Sequence, residues 1–302
     1  MGDSTHLTRC TACTSINLAK IMDVKDHFKS GEIFTIHECK SCGFRFTQDA
    51  PDEDVAYQYY ESDDYISHSD TKKGIVSQLY HKVREIMLRR KSQLILSLST
   101  EKRLLDIGSG TGYFLNYMKH KGYDVKGVEI SNTARQFSID HFGLDVVSPD
   151  ILFSQSFSET YDFITLWHVL EHLYNPDKYM QKISDLLVDD GYLIIALPNH
   201  QSYDQNKYKS YWAAYDVPRH LWHFHPNSLT TFASRHGFEV IKMQDMPFDP
   251  FYNAMLSEKY MGHRGGLILG AFTGLISMLK GKSNIRKAAS VIYILKKIQV
   301  TP

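Results

Sequence analysis

Arg103-Leu104-Leu105-Asp106-Ile107-Gly108-Ser109-Gly110-Thr111-Gly112 is the stretch on which the reading of this chain turns. Arg103 to Ile107 has the apolar run of a short buried strand, and three alternating glycines follow it. Glycines at such spacing let a strand-to-helix turn bring backbone against a ligand. Phe114, Leu115, Met118 and Lys121 continue in helical rhythm, and a second strand, Asp124 to Val128, ends at Glu129. An acid about 20 residues beyond the turn can accept hydrogen bonds from a ribose diol. Dinucleotide folds space their glycines as Gly-x-Gly-x-x-Gly. Here the pattern is Gly-x-Gly-x-Gly, Tyr113 stands where the third glycine would be, and Asp106 precedes the turn.

Outward from this turn, strands and helices alternate. Upstream, Leu79, Val83, Ile86, Met87, Leu94 and Leu98 predict a helix over 76–98. Downstream, strands are expected near Asp145–Val147, at Tyr161–Trp167, Gly191–Leu197, Phe238–Met243 and Ser290–Leu295, with a helix over 226–236 opened by Pro226-Asn227-Ser228. This is the order of an α/β protein with an open sheet.

On Leu105 to Gly112 and Glu129 the chain resembles the class I S-adenosylmethionine-dependent methyltransferases. The resemblance implies a seven-stranded Rossmann-like sheet, its last strand antiparallel, over roughly 75–302. Residues 247–288 are then a late helical insertion. It also implies that Asp106, Gly108, Ser109, Gly110 and Gly112 hold the methionine part of S-adenosylmethionine and that Glu129 binds the ribose hydroxyls. Ile130 would lie beside the adenine, Asp150 and Ile151 at its edge, and Trp167 at the cofactor end of the fourth strand.

Trp167-His168-Val169-Leu170-Glu171-His172-Leu173 follows that strand, where open sheets bind their ligands. If a helix begins here, His168, Glu171 and His172 share a face. Pro218-Arg219-His220-Leu221-Trp222-His223-Phe224-His225 occupies the loop after the fifth strand, at the same rim. Methyl transfer needs an aligned acceptor and removal of its proton. A neutral histidine, His168 or His220, can take that proton. Alternatively, His168, Glu171 and His172 hold a second divalent ion that acidifies a hydroxyl. The segment is similar to the ubiquinone-biosynthesis O-methyltransferase branch, which carries Glu-x-x-Glu-His here; small-RNA 2′-O-methyltransferases carry a related motif. His168 replaces the first Glu, which favours an ion softer than Mg²⁺.

At the N-terminus, Cys10-Thr-Ala-Cys13 and Cys39-Lys-Ser-Cys42 present four thiolates in the spacing of a zinc ribbon over residues 1–50. Four thiolates leave a zinc ion no open position, so its role is structural. Ribbons also dock nucleic acid or protein, but this one has six Lys/Arg against six Asp/Glu, which counts against nucleic acid. The rest, 51–302, reads as the methyltransferase domain, beginning with an acidic, tyrosine-rich segment over 51–75 that is a linker or a lid.

The 302 residues carry 34 basic and 34 acidic side chains, which excludes a global polyanion-binding field. The zero conceals asymmetry: residues 52–64 contain no Lys or Arg, and beyond Glu258 there are eight Lys/Arg and no acid. MGDSTHLTRC lacks the apolar stretch of a secretory signal, so a cytoplasmic protein is expected. The run from Gly265 to Leu279 is too short to span a bilayer; it is a packed helix, a wall for a lipophilic acceptor, or, with Lys280, Lys282, Arg286 and Lys287, a peripheral membrane contact over 265–287. The oligomeric state is not legible.

The leading expectation is an S-adenosylmethionine-dependent methyltransferase acting on oxygen of a small or lipid-like acceptor. A sugar C-methyltransferase or an RNA methyltransferase is the alternative within the enzymes, and a non-catalytic cofactor-binding docking protein the alternative outside them. Asp106→Ala and Glu129→Ala should each abolish S-adenosylmethionine binding in calorimetry, and retained binding in both variants would remove the assignment of this turn.

Overall fold

The computed structural model describes residues 4–60 and 75–298. Residues 61–74 of the acidic, tyrosine-rich segment, including Tyr65 and Ser67-His68-Ser69, lie outside the described residues. Its described part forms one helical turn, Glu53–Ala56, and a tighter turn, Tyr57–Tyr59.

Thirteen strands are numbered in chain order. Ser4–Thr5 (β1) pairs with Ala50–Pro51 (β5). Leu18–Lys25 (β2), Ile33–Cys39 (β3) and Arg45–Gln48 (β4) form the N-terminal sheet. Arg103–Ile107 (β6), Asp124–Val128 (β7), Asp145–Val147 (β8), Tyr161–Trp167 (β9) and Leu187–Pro198 (β10) follow. Trp222–His223 is β11, Phe238–Asp245 is β12 and Ser290–Lys297 is β13. The large sheet has seven strands in the order β12-β13-β10-β9-β6-β7-β8, with β13 antiparallel to both neighbours. This is the predicted α/β architecture. Parallel strands covered on both faces read as continuous apolar runs, and β9 is buried from Tyr161 to Leu166.

Differences from the sequence reading are local. The fifth strand begins at Leu187 rather than Gly191, with a register irregularity between Leu187 and Tyr192. That lead-in contains Asp189, Asp190 and Gly191, which sequence pattern reads as a turn. No helix starts at His168. Its φ is 57°, a left-handed conformation that interrupts helical propagation, and only a short 3₁₀ turn, Leu170–His172, forms. Residues 247–288 fold as two packed helices, Asp249–Tyr260 and Gly266–Ser283.

The ribbon is not a separate bead. β11, from the loop after the fifth strand, pairs with β4, so the N-terminal sheet runs β11-β4-β3-β2. Phe44 packs against Phe224 with ring centroids 4.9 Å apart, and one continuous apolar core contains Cys10, Phe44 and Phe46 with Leu105, Leu166 and Leu221. A buried ion pair locks the same junction. The Arg219 guanidinium lies 2.9 Å from Asp26 Oδ1 and 2.7 Å from Asp216 Oδ1, with the Asp26 side chain wholly inaccessible. Asp26 also accepts from the backbone N–H groups of Phe28, Lys29 and Ser30. Burial opposes its ionisation, but Arg219 and these donors bring its pKa down to about 2.

Removing one member of a buried pair strands the other's charge. Arg219→Ala should therefore cost about 3–5 kcal/mol of unfolding free energy in denaturant titration. Asp189→Asn, which removes only the exposed partner of Lys297, should leave the midpoint in place. Because the Asp26 pKa is depressed when folded, its contribution is complete above its ordinary 3.8 and lost as pH falls towards about 2.

Candidate active site

The glycine turn sits at the carboxyl end of β6, between β7 and β9. Gly108, Gly110 and Gly112 all have positive φ, at 74°, 54° and 78°. Two of them are also required by space. A Cβ on Gly108 would stand 2.3 Å from Val169 Cγ2, and one on Gly112 would stand 2.7 Å from Leu144 Cδ1 and Ser138 Cβ. Gly110 is different: nothing lies within 4 Å of its Cβ position, so its backbone faces open space where a ligand can approach.

Glu129 is placed by this turn. Its Oε2 accepts from Gly110 N at 2.7 Å and its Oε1 from Ser131 N at 2.8 Å, which leaves further lone pairs on each oxygen for a diol. Ile130 and Ile151 are exposed at 75% and 45%, two aliphatic surfaces suited to the faces of an aromatic base, with Asp150 exposed beside Ile151. Asp106 is buried and accepts from Thr165 Oγ1 at 2.5 Å. Burial raises its pKa to about 7 against the opposing effects of that hydrogen bond and of Lys91. The buried Ser109 Oγ and Trp167 Nε1 have no hydrogen-bond partner among the described residues, so polar capacity is left over at the turn. Glycine backbone, a ribose-competent acid and unspent donors fit an adenosyl cofactor.

Lys91 entered no sequence reading, since it sits in the helix Ile75–Leu96 as one basic residue among several. Its ammonium lies 4.2 Å from the centroid of the Trp167 ring, and burial lowers its pKa to about 8 against the charges of Asp106 and Asp249. Asp249 was equally hidden, in what reads as an insertion. It lies 3.1 Å from His168 Nε2, while Glu171 Oε1 lies 3.4 Å from His168 Nδ1. Burial disfavours the imidazolium, but the two carboxylates outweigh it and hold the His168 pKa up to about 10. His168 is therefore a clamped cation near neutral pH and not the neutral base that sequence suggested.

Two further histidines, His172 and His220, lie one step beyond. Arg219 O is 3.0 Å from His172 Nδ1, and Ala214 O is 2.9 Å from His220 Nδ1. A carbonyl only accepts, so Nδ1 carries a proton in both rings, and in the neutral form of each Nε2 is the lone-pair atom. The Tyr60 hydroxyl oxygen shares the His172 proton at 3.1 Å. Burial and the neighbouring His220 bring the His172 pKa down to about 4. Glu171 is fully buried; Oε1 is paired with His168 at 3.4 Å, and Oε2 has no hydrogen-bond partner among the described residues. One ligand atom from each of Glu171, His172 and His220 lies within 4.8 Å of the others. The expected trio of His168, Glu171 and His172 is thus replaced by one with His220, because Asp249 occupies His168. Two imidazoles held by backbone carbonyls and a buried carboxylate with one oxygen left over fit a divalent cation of the Zn²⁺ or Mn²⁺ kind. His223 and His225 are buried in the ribbon junction, bonded to Thr47 Oγ1 and Cys42 O.

Cys10, Cys13, Cys39 and Cys42 converge next to that junction, where Cys42 O meets His225. Sγ separations are 3.6 Å for Cys10–Cys42 and for Cys13–Cys39. Tetrahedral Zn–S bonds of about 2.3 Å require sulfurs roughly 3.8 Å apart. The donor set fits.

A family model for the methyltransferase domain matches residues 79–243, more than half of the chain. Over 108 residues the chain is 32% identical to a ubiquinone biosynthesis O-methyltransferase of Glaesserella parasuis, covering 32% of this chain and 46% of that protein. A second ubiquinone biosynthesis O-methyltransferase, from Cupriavidus pinatubonensis, is 21% identical over 162 residues, covering 49% and 65%. The chain thus spans less than two thirds of either relative's length. Magnesium protoporphyrin IX methyltransferase from Synechocystis, solved with bound SAH, shares the fold: TM-score 0.54, 11% identity, 82% of this chain and all of that one. The turn and sheet define the class I S-adenosylmethionine-dependent methyltransferase type. The chain belongs to the methyltransferase domain family that the matched model describes.

Cys39→Ser should lower the zinc content of purified protein by about one equivalent, whereas Glu171→Gln should leave that equivalent in place. Elemental analysis of both variants checks the assignment, and unchanged zinc in Cys39→Ser would refute it.

Proposed function

We propose that the protein transfers the methyl group of S-adenosylmethionine to a hydroxyl oxygen of a small or lipid-like acceptor. The observation that carries this reading is the buried Glu171 carboxylate, paired on one side with His168, grouped with His172 and His220 so that one ligand atom from each lies within 4.8 Å of the others. Such a donor set suits an oxygen acceptor, whose hydroxyl a cation held there would acidify. The named relatives that methylate oxygen support the same choice.

Bound at the glycine turn, S-adenosylmethionine supplies an electrophilic sulfonium methyl. Gly110 and Ser109 would hold its methionine part with Asp106, and Glu129 its ribose, leaving Ile130 and Ile151 for the adenine. A divalent cation held by Glu171, His172 and His220 would supply positive charge that lowers the pKa of the acceptor hydroxyl. The protein's part is alignment and electrostatics. Arg219 O and Ala214 O orient the two imidazoles, Tyr60 buttresses His172, and His168 positions Glu171 by binding it from the side opposite Asp249. The four-cysteine site then supports the loop that carries His220, through β4 and β11, and takes no direct part in the chemistry.

The test is release of S-adenosylhomocysteine with phenols, quinols, sugars and RNA offered separately. Turnover is expected with a hydroxylated phenol or quinol. His220→Ala should lower kcat about 10²-fold or more while leaving S-adenosylmethionine affinity within a factor of about two. Tight cofactor binding with no turnover on any of the four classes would make the protein a cofactor-binding docking module instead.

A further inference from the structure

The helix Gly266–Ser283 is packed inside out. Its buried positions are Gly266, Gly270, Thr273, Gly274, Ser277 and Gly281. Its large side chains point to solvent: Leu267 is 72% exposed, Ile268 78% and Phe272 64%, joined by Leu269, Leu275 and Leu279. The glycines are imposed by backbone contact with the helix Asp249–Tyr260, since a Cβ on Gly270 would lie 2.5 Å from Met255 Cα and one on Gly274 2.7 Å from Phe251 Cα. Glycine in a helix interior lowers helix stability. A water-soluble hairpin would gain by turning its leucines inward, so this sequence gives up core volume to keep an apolar face outside. Small residues between helices and bulky ones outside is the arrangement of helices that face lipid.

Charge identifies the occupant. Arg264 precedes the helix, Lys280 and Lys282 lie in its last turn, Arg286 and Lys287 follow it, and all five are exposed. Lysines in a last turn also suit the helix's own carbonyl end, but Arg264, Arg286 and Lys287 lie outside the helix and gain nothing from it. No acidic residue occurs after Glu258, and Glu258 itself is buried against Tyr208, Lys207 and His263. An apolar face flanked at both ends by unopposed cations matches the acyl boundary and phosphates of an anionic bilayer. No helix among the described residues is long and apolar enough to cross a membrane.

We infer that the outer face of the hairpin's second helix, Gly266–Ser283, docks this protein in the plane of an anionic lipid surface. The inference goes beyond the proposed reaction and stands apart from it. The hairpin also begins at the active site, since Asp249, the first residue of its first helix, binds His168. Docking would therefore set the methyl-transfer cleft close to the lipid boundary.

Flotation of the full chain with vesicles tests it, using pure phosphatidylcholine and a mixture rich in phosphatidylglycerol. The bound fraction should be roughly tenfold or more higher on the anionic vesicles and should fall with added salt. Leu267→Ser/Ile268→Ser/Phe272→Ser should abolish flotation, and so should Lys280→Gln/Lys282→Gln/Arg286→Gln/Lys287→Gln. These side chains are exposed, so the melting temperature and S-adenosylmethionine affinity should not fall. No flotation, equal flotation on both vesicle types, or flotation retained by the serine variant would each overturn the proposal. A vesicle-free dimer that the serine variant splits, together with no flotation, would assign the face to a second copy of the chain. Loss of turnover leaves this readout untouched, so failure of the proposed reaction and failure of docking are separable.

Discussion

Arg219 is the residue on which the active-site rim depends. Its guanidinium, itself buried, bridges the buried Asp26 of the N-terminal module and the partly exposed Asp216 of the loop after the fifth strand. A charge so placed cannot leave without stranding two carboxylates. Its side chain therefore fixes its backbone. Arg219 O sets the tautomer of His172, and two residues on, Leu221 donates its N–H to Glu171 O at 2.8 Å. The same loop contributes β11 to the ribbon's sheet. Ribbon, loop and the proposed ligand trio are thus joined mechanically, which links the cysteine module to the position of His220.

A second principle separates the histidines. Three lie within a few ångströms of Glu171, and each has a different electrostatic lot. His168 stands between two carboxylates and is held as a cation. His172 is buried, beside another imidazole and pinned to a carbonyl, and stays neutral. His220 shares that pinning. One residue type therefore serves as a structural cation and as lone-pair donor within one rim, and the neighbours decide which.

The glycine turn, its two acids and the strand order were legible because they are local. Three positive-φ positions in five residues, and an acid at fixed distance beyond them, leave few alternatives for the backbone. The strands at 161–167, 238–243 and 290–295 were visible for the same reason: period and burial are written into consecutive residues. The 3₁₀ turn at Leu170–His172 was not, because His168 takes a left-handed conformation that nothing in its own neighbourhood requires. Lys91 and Asp249 were invisible as site residues, since one lies on an ordinary charged helix and the other inside what composition marks as an insertion.

What the sequence determined by itself is the sheet, the adenosyl-competent turn and the four-cysteine module, all set by short-range sterics and ligand spacing. Which carboxylate meets which histidine was decided only by the tertiary structure. Asp249 reaches His168 and Arg219 reaches Asp26 across separations of 81 and 193 residues that no local pattern encodes, and the leucines of the last long helix face outward because Gly270 and Gly274 meet Met255 and Phe251. These are choices of packing between distant elements. Burial then converts each of them into a protonation state or an exposed face, which is where the proposed chemistry of this protein resides.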